Sequence, residues 1–233
     1  MAEQLPVKFE FRANQTFDDF YPGNNQEIIG QLKKTVAGVG EQFIFLWGDV
    51  GHGKSHLLQA CSQDAFKLNI RCIYLDLSDS ILTDLELFTG LEDFELVCFD
   101  NIDALTGRKD WELAFFIFFN QHRDRNHRLI LSASCAPNAI AYSLPDLQTR
   151  INWGLSLRIQ HLEDDDKIAA LTHKAQQMGF EIAPQVARFL LTHYDRNLSS
   201  LWTILDKLDG ASLAAQRRLT IPFLKHVLGS GIE

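Results

Sequence analysis

The sequence predicts an α/β fold, a three-layer sandwich with a five-stranded parallel sheet, followed by a small all-helical domain. Four short runs are apolar at every position, at residues 43–47, 72–75, 96–99 and 129–131, and residues 155–159 form a weaker fifth. Such runs indicate strands that are covered on both faces, as in a parallel sheet between two layers of helices. Helical patterns at 55–67 and 110–123 lie between the runs.

The remaining helices are predicted from periodicity and turn signals. A turn at Pro22-Gly23 precedes a helix over 25–37. Beyond the last strand the pattern is helical only, with helices predicted at 163–178, 184–194, 197–216 and 222–228. We therefore expect three parts: a flexible tail at 1–15, a nucleotide-binding α/β domain at 16–161 and a helical lid domain at 162–233.

Composition and charge limit the classes of partner. The 233 residues carry a formal net charge of −8, so a broad basic surface is not expected and strong direct DNA binding is disfavoured. Nothing in the sequence reads as a signal peptide or a membrane span. The four cysteines are widely spaced, at Cys61, Cys72, Cys98 and Cys135, and are expected to be free thiols in a reducing cytoplasm.

A phosphate-binding loop is the most specific motif in the chain. The run Gly48-Asp49-Val50-Gly51-His52-Gly53-Lys54-Ser55 follows the first predicted strand and opens a helix, and it fits the pattern GxxxxGK[ST]. Glycines let the backbone N–H groups turn toward a phosphate, and the following helix directs its positive dipole end to the same anion. A plain glycine turn between a strand and a helix is the alternative, but it does not explain Lys54 and Ser55.

Lys54, Ser55 and Asp100 are predicted to serve a polyphosphate and its Mg²⁺. Lys54 is the cation for the β- and γ-phosphates, the Ser55 hydroxyl is a Mg²⁺ ligand, and Asp100 ends a strand where a carboxylate can hold the ion's hydration shell. Alternatively, Asp100 is only a strand-end cap. The next residue is Asn101, whose carboxamide is not a useful base, so slow intrinsic hydrolysis is expected. Asp103 is a weaker candidate for the missing base, because it lies two residues further on and is expected to point elsewhere.

His52 and His56 are four residues apart, a spacing that can indicate a metal site. One of them lies in the predicted loop and the other one turn into the helix, so the two side chains are not expected to share a face. A metal site at this pair is therefore disfavoured.

The chain resembles the DnaA/Hda family of AAA+ proteins, and most closely its short Hda-type members, from about residue 16 to the end. Besides the phosphate-binding loop, the residues that carry the resemblance are those at 16–20, 22–24, 96–103, 129–134, 144–154, 194–198 and 219–223. The resemblance implies bound ADP or ATP with Mg²⁺. It also implies that the helix-turn-helix DNA reader of DnaA is absent.

The resemblance implies roles for further residues. Arg150 matches the arginine finger, which acts in trans on a neighbouring subunit's nucleotide, although an arginine that closes a short helix is often a solvated charge. Arg196 matches the second sensor, with a surface arginine as the alternative, and Ser134 matches the first sensor. The implied nucleotide contacts, besides the loop residues 48–55, are Phe20, Tyr21, Gly23, His56, Asp100 and Arg196.

The N-terminal tail resembles the short peptides by which this family binds the DNA polymerase III sliding clamp. The candidate contacts are Gln4, Leu5 and Val7, a glutamine anchor with apolar side chains that can dock into a groove. Lys8 interrupts the apolar run, so a simple disordered tail is the alternative.

The function implied by the resemblance is regulation of replication initiation. In this hypothesis the chain, held at the DNA-loaded clamp, promotes hydrolysis of DnaA-bound ATP and prevents re-initiation, while it is at most a weak ATPase itself and can form homo-oligomers. A replicative-helicase loader of DnaC type is the alternative, although only about fifteen residues precede the core. A nucleotide kinase is disfavoured, because its lid would be inserted within the sheet domain.

Overall fold

The computed structural model describes residues 15–78, 84–215 and 220–229. Its centre is a five-stranded, all-parallel sheet, as the apolar runs predict. The strand order is β2-β3-β4-β1-β5. The strands are β1 (Phe43–Trp47), β2 (Cys72–Asp76), β3 (Leu96–Asp100), β4 (Arg128–Ala133) and β5 (Leu155–Arg158).

Helices cover both faces of the sheet. The helices of this part are α1 (Gln26–Val36), α2 (Lys54–Lys67), α3 (Lys109–Asp124) and α4 (Pro145–Ile151). Because side chains alternate along a strand, β1 directs Ile44 and Leu46 into one buried cluster and Phe43 and Phe45 into the other. Helices α1 and α2 pack in the first cluster, and the phenylalanines of α3 fill the second.

Within the described residues, four further helices follow the sheet and share a separate core. They are α5 (Asp164–Gln177), α6 (Pro184–His193), α7 (Leu198–Ala215) and α8 (Ile221–Val227). Their apolar faces bury a leucine-rich cluster that includes Leu171, Leu190, Leu201, Leu205 and Leu224. The arrangement confirms the predicted helical block behind the sheet.

The described cysteine side chains are all free, with Cys61 and Cys98 buried and Cys72 and Cys135 half-buried. Burial raises the pKa of the Cys61 and Cys98 thiols well above the ordinary value. Among the described helices, none is long and apolar enough to cross a membrane.

Candidate nucleotide-binding site

The phosphate-binding loop joins the end of β1 to the start of α2. Gly51 and Gly53 have φ angles of 82° and 93°, the left-handed region that favours glycine. A Cβ atom on Gly53 would lie 2.6 Å from Cε2 of Phe20, and one on Gly51 would lie 2.6 Å from the Asn197 side chain. The left-handed backbone conformation favours glycine at both positions, and at Gly53 the edge of the Phe20 ring adds a close approach.

Lys54 is the first residue of α2 and is buried against the loop. Its Nζ donates hydrogen bonds to the carbonyl oxygens of Gly48 (2.7 Å) and Asp49 (3.0 Å). Burial lowers the pKa of Lys54, and nearby carboxylates, Asp100 foremost, oppose this shift. The ammonium group is thus held at the loop, where the motif requires a cation.

Asp100 ends β3 and is 0% exposed. Its two oxygens accept hydrogen bonds from two hydroxyl groups, Oδ1 from Ser132 and Oδ2 from Tyr74 at 2.9 Å. Burial, reinforced by the Asp100 charge, raises the pKa of Tyr74 well above its ordinary value, so this hydroxyl remains a donor. The hydroxyl donors offset the cost of burying the carboxyl group.

Asn101 and Asp103 follow Asp100 in the chain, and both side chains have hydrogen-bond partners. Asn101 has a φ of 58°, and its Nδ2 donates to Oδ1 of Asp76 at 2.7 Å. The Asp103 carboxylate accepts hydrogen bonds from the backbone N–H of Ser134 (3.0 Å) and from its hydroxyl. Ser134, the candidate first sensor, is therefore tied to Asp103.

A cavity of about 420 Å³ opens beside the loop, between the α/β core and the lid helices. Of the predicted contacts, Phe20, Tyr21, Val50, Gly51, His52, Gly53, Lys54, Ser55 and His56 line it. Asn101 lines it as well, together with six residues that sequence reasoning did not select as contacts: Gln15, Asp19, Asn25, Leu162, Leu198 and Trp202. Gly23 lies close by, because a Cβ there would meet Cδ2 of Leu162 at 2.5 Å.

Arg196 lies over a second, adjoining cavity of about 240 Å³ on the lid side of the loop. Its Nε donates to the Leu191 carbonyl at 3.2 Å and its guanidinium group approaches Asp164 at 3.5 Å. His161 and Lys167, which sequence reasoning also missed, line the same cavity. The sequence gives no signal for these two residues, because one lies in the segment between β5 and α5, the other lies within α5, and neither is part of a motif.

His52 and His56 have different partners. Nε2 of His56 lies 2.7 Å from the carbonyl oxygen of Thr16, whereas Nε2 of His52 lies 3.4 Å from Nδ1 of His161. Burial lowers the pKa of both imidazoles. Within the described ranges, no group of three or more histidine, cysteine or acidic side chains is arranged to hold a metal ion.

The loop fits a nucleoside polyphosphate. Its two glycines are in the left-handed conformation, its lysine is held at the start of a helix, and Nδ1 of His52 is buried without a hydrogen-bond partner among the described residues. Ser55 is exposed and lines the cavity, so its hydroxyl fits a Mg²⁺ ligand. Each oxygen of Asp100 already accepts one hydrogen bond from a hydroxyl group, so Asp100 fits a water-mediated contact with Mg²⁺ better than direct ligation.

Arg150 is not among the residues that line either cavity. It lies in the last turn of α4, and its guanidinium carbon lies 3.9 Å from the centroid of the Trp153 ring. The residue after Trp153, Gly154, packs against Phe43 at the start of β1, whereas the phosphate-binding loop follows Trp47 at its end. Arg150 is thus held at the opposite end of β1 from the loop of its own chain.

Gln4, Leu5 and Val7, the predicted clamp contacts, lie outside the described residues, as does the whole tail up to residue 14.

The fold and the site together define the class of protein. A parallel sheet of this kind, a phosphate-binding loop after β1 and a helical block over the cavity are the architecture of an AAA+ protein. The chain belongs to the bacterial DnaA ATPase family, since the model of the bacterial DnaA ATPase domain matches residues 11–158. The model of the Hda lid domain matches residues 164–228, which adds an Hda-type lid.

Further comparisons show one similar bacterial protein and several solved structures that share the fold. An uncharacterized protein of Haemophilus influenzae is 38% identical over 229 residues, which cover 98% of this chain and 99% of that protein. A solved structure of the replication initiator DnaA bound to AMPPCP and single-stranded DNA is similar with a TM-score of 0.74 at 23% identity, over 84% of this chain. The match covers only 65% of that DnaA chain, slightly less than two thirds of its length. Domain III of Thermotoga maritima DnaA has a TM-score of 0.78 at 18% identity, over 95% of this chain and 98% of that one.

Proposed function

We propose that the chain binds ADP or ATP and promotes hydrolysis of DnaA-bound ATP together with the DNA-loaded sliding clamp, so that replication does not re-initiate. The family assignment connects the chain with replication initiation. The cytoplasm is the compartment in which we expect it to act.

The nucleotide site supports the first half of this proposal. Lys54, the loop amides and the positive end of α2 would hold the phosphates, and Ser55 would ligate Mg²⁺, which when bound neutralises phosphate charge. Phe20, Tyr21 and Trp202 supply aromatic surface at the same cavity, which suits a base. A DnaA relative of the same fold was solved with AMPPCP, an ATP analogue.

The proposal that the chain promotes hydrolysis of DnaA-bound ATP rests on the position of Arg150. Arg150 and the phosphate-binding loop lie at opposite ends of β1, whose five residues span roughly 16 Å at about 3.3 Å per residue. An arginine there cannot serve the nucleotide of its own chain. It is instead available to the nucleotide of a neighbouring subunit, where a guanidinium group stabilises charge on the transferring phosphoryl group.

The surroundings of Asp100 support the same division of labour. The residue after it is an asparagine whose amide is hydrogen-bonded to Asp76, so this site offers no ready general base at that position. We infer that the chain's own nucleotide stabilises its conformation, while hydrolysis takes place on DnaA.

The decisive experiment measures hydrolysis of ATP prebound to DnaA, with this protein, ADP and clamp loaded on DNA, and with each component omitted in turn. The Arg150→Ala variant should lose stimulation by a factor on the order of 10³, the low end of what arginine fingers contribute. It should still bind ADP.

Arg71→Ala is the matched control. Arg71 is also an exposed arginine, but it precedes β2 at the far edge of the sheet and its only ion pair, within the part of the chain that the structure describes, is an exposed one with Glu95 at 3.7 Å. The Arg71→Ala variant should stimulate ATP hydrolysis by DnaA as strongly as the unmodified protein. Full stimulation by Arg150→Ala would show that Arg150 is not the arginine finger. Undiminished stimulation in the absence of loaded clamp would show that the clamp is not required.

A further inference from the structure

The guanidinium group of Arg150 rests on the ring of Trp153. The separation of 3.9 Å from the ring centroid is well within the range of a cation–π contact. Arg150 is in the last turn of α4, and Trp153 lies two residues beyond the end of the helix, where its backbone N–H donates to the carbonyl oxygen of Arg150 at 3.1 Å. This turn brings the two side chains to the same side.

The contact holds Arg150 without occupying its donors. In the described part of the chain, the Arg150 side chain takes part in no hydrogen bond or ion pair. A carboxylate partner would neutralise the guanidinium charge and use its N–H groups, whereas an aromatic face leaves both available to a phosphoryl oxygen. The ring is also accessible, since Trp153 is 54% exposed.

A second arginine meets the same ring, and its role differs. Arg123, near the end of α3, has its guanidinium carbon 5.5 Å from the Trp153 centroid. Its Nε and one terminal nitrogen donate to Asp124 at 3.1 and 2.7 Å. Arg123 thus supports the ring while its own charge is paired, and Arg150 keeps its charge for another partner.

The backbone beside Trp153 is fixed by a close contact. A Cβ on Gly154 would lie 2.4 Å from Cδ1 of Phe43 and 2.6 Å from the carbonyl oxygen of the same residue. Only glycine fits at this point, where the chain enters β5 beside β1. The tryptophan is therefore an exposed side chain on a rigid base.

We propose that Trp153 is a positioning residue for Arg150, a flat aromatic platform that directs the guanidinium group toward the nucleotide of the partner subunit. This inference rests on the proposed arginine-finger function. Trp153 itself need not contact the nucleotide.

The test compares Trp153→Phe, which keeps an aromatic face, with Trp153→Leu, which keeps only apolar bulk. The saturating rate of hydrolysis by DnaA should fall about two- to fivefold for the leucine variant, the factor that an exposed cation–π contact supplies. The concentration for half-maximal stimulation should not change. The phenylalanine variant should retain most of the rate.

Two controls separate positioning from a structural role. Phe66→Ala removes another exposed aromatic side chain, at the end of α2, and should leave stimulation unchanged. Adding Trp153→Leu to an Arg150→Ala chain should cause no further loss, because the platform acts only through the arginine. Thermal unfolding of each variant shows whether it is folded.

Equal saturating rates for the leucine variant and the unmodified protein would overturn the positioning role, as would a change confined to the half-maximal concentration. An additional loss in the double variant would overturn it as well. If Arg150→Ala itself keeps full stimulation, the proposed finger fails first. If Arg150→Ala is inactive while Trp153→Leu is fully active, only the positioning role fails.

Discussion

The side chain of Asn25 and the backbone of Gln160 are joined by two reciprocal hydrogen bonds. Nδ2 of Asn25 donates to the Gln160 carbonyl at 3.2 Å, and the Gln160 N–H donates to Oδ1 of Asn25 at 2.6 Å. Asn25 is 1% exposed. The pair thus ties the segment before α1 to the chain leaving β5, two segments that border the cavities beside the phosphate-binding loop.

Replacing Asn25 by alanine should lower the free energy of unfolding by about 1–3 kcal/mol, because the backbone N–H and carbonyl groups of Gln160 lose their partners. Chemical denaturation measures this change, and ADP titration should show weaker binding in the same variant. Asn152→Ala is the matched control, since its exposed amide donates to the Gln148 carbonyl at 2.7 Å and its loss should cost less than about 0.5 kcal/mol. Equal stability of the two variants would contradict the linking role of Asn25.

Gly53→Ala should abolish measurable ADP binding, because the added Cβ would meet Phe20 at 2.6 Å inside the site. Gly90→Ala is the control for backbone strain alone: its φ of 83° is similar, but no atom lies within 4 Å of its added Cβ. Both variants should lose about 1–2 kcal/mol of stability from the left-handed conformation. Calorimetric titration with ADP should separate them, and normal affinity in Gly53→Ala would argue against a phosphate cradle at this loop.

The stability of the protein should fall between pH 6.5 and about 4, in part because of His122. This side chain is buried near the end of α3, with Nε2 3.0 Å from the Phe94 carbonyl, and burial lowers its pKa to about 4. In the unfolded chain the His122 imidazole is protonated near pH 6.5, whereas in the folded protein the same imidazole is protonated only near pH 4. The unfolded state therefore binds more protons in this window, and acidification favours it.

His122→Gln should make the stability less dependent on pH. The amide can still donate to Phe94 but does not titrate, so the loss of unfolding free energy between pH 7 and 4.5 should shrink by roughly 2 kcal/mol. Denaturation at several pH values tests this expectation. His226→Gln, at an exposed position near the end of α8, should keep the pH dependence of the unmodified protein. An unchanged slope in His122→Gln would show that other groups carry the acid sensitivity.

Much of the fold was predictable because its signals are local. Strand β1 coincides with the apolar run at 43–47, since a strand covered on both faces must be apolar at every position. The phosphate-binding loop was predictable for a similar reason, because glycine, lysine and serine are needed at fixed spacing. The helical block was predictable because the sequence after residue 162 shows only helical periodicity and no further apolar strand run.

The candidate site was only partly predictable. Asn25 and Trp202 line the same cavity although 177 positions separate them in the chain, and neither residue belongs to a recognisable motif. The hydroxyl donors of Asp100 were missed because Tyr74 and Ser132 come from the strand before it and the strand after it. Such pairs depend on sheet order, which no local pattern encodes.

The sequence by itself determined the strands, the helices and the loop chemistry, because hydrophobic periodicity and glycine conformation act over a few residues. Only the tertiary structure decided that Arg150 and the phosphate-binding loop lie at opposite ends of β1, and that Asn101, at the wall of the cavity, is hydrogen-bonded to Asp76. The physical reason is that long-range packing selects one order of strands and one set of close contacts, and these set the direction in which each functional group points.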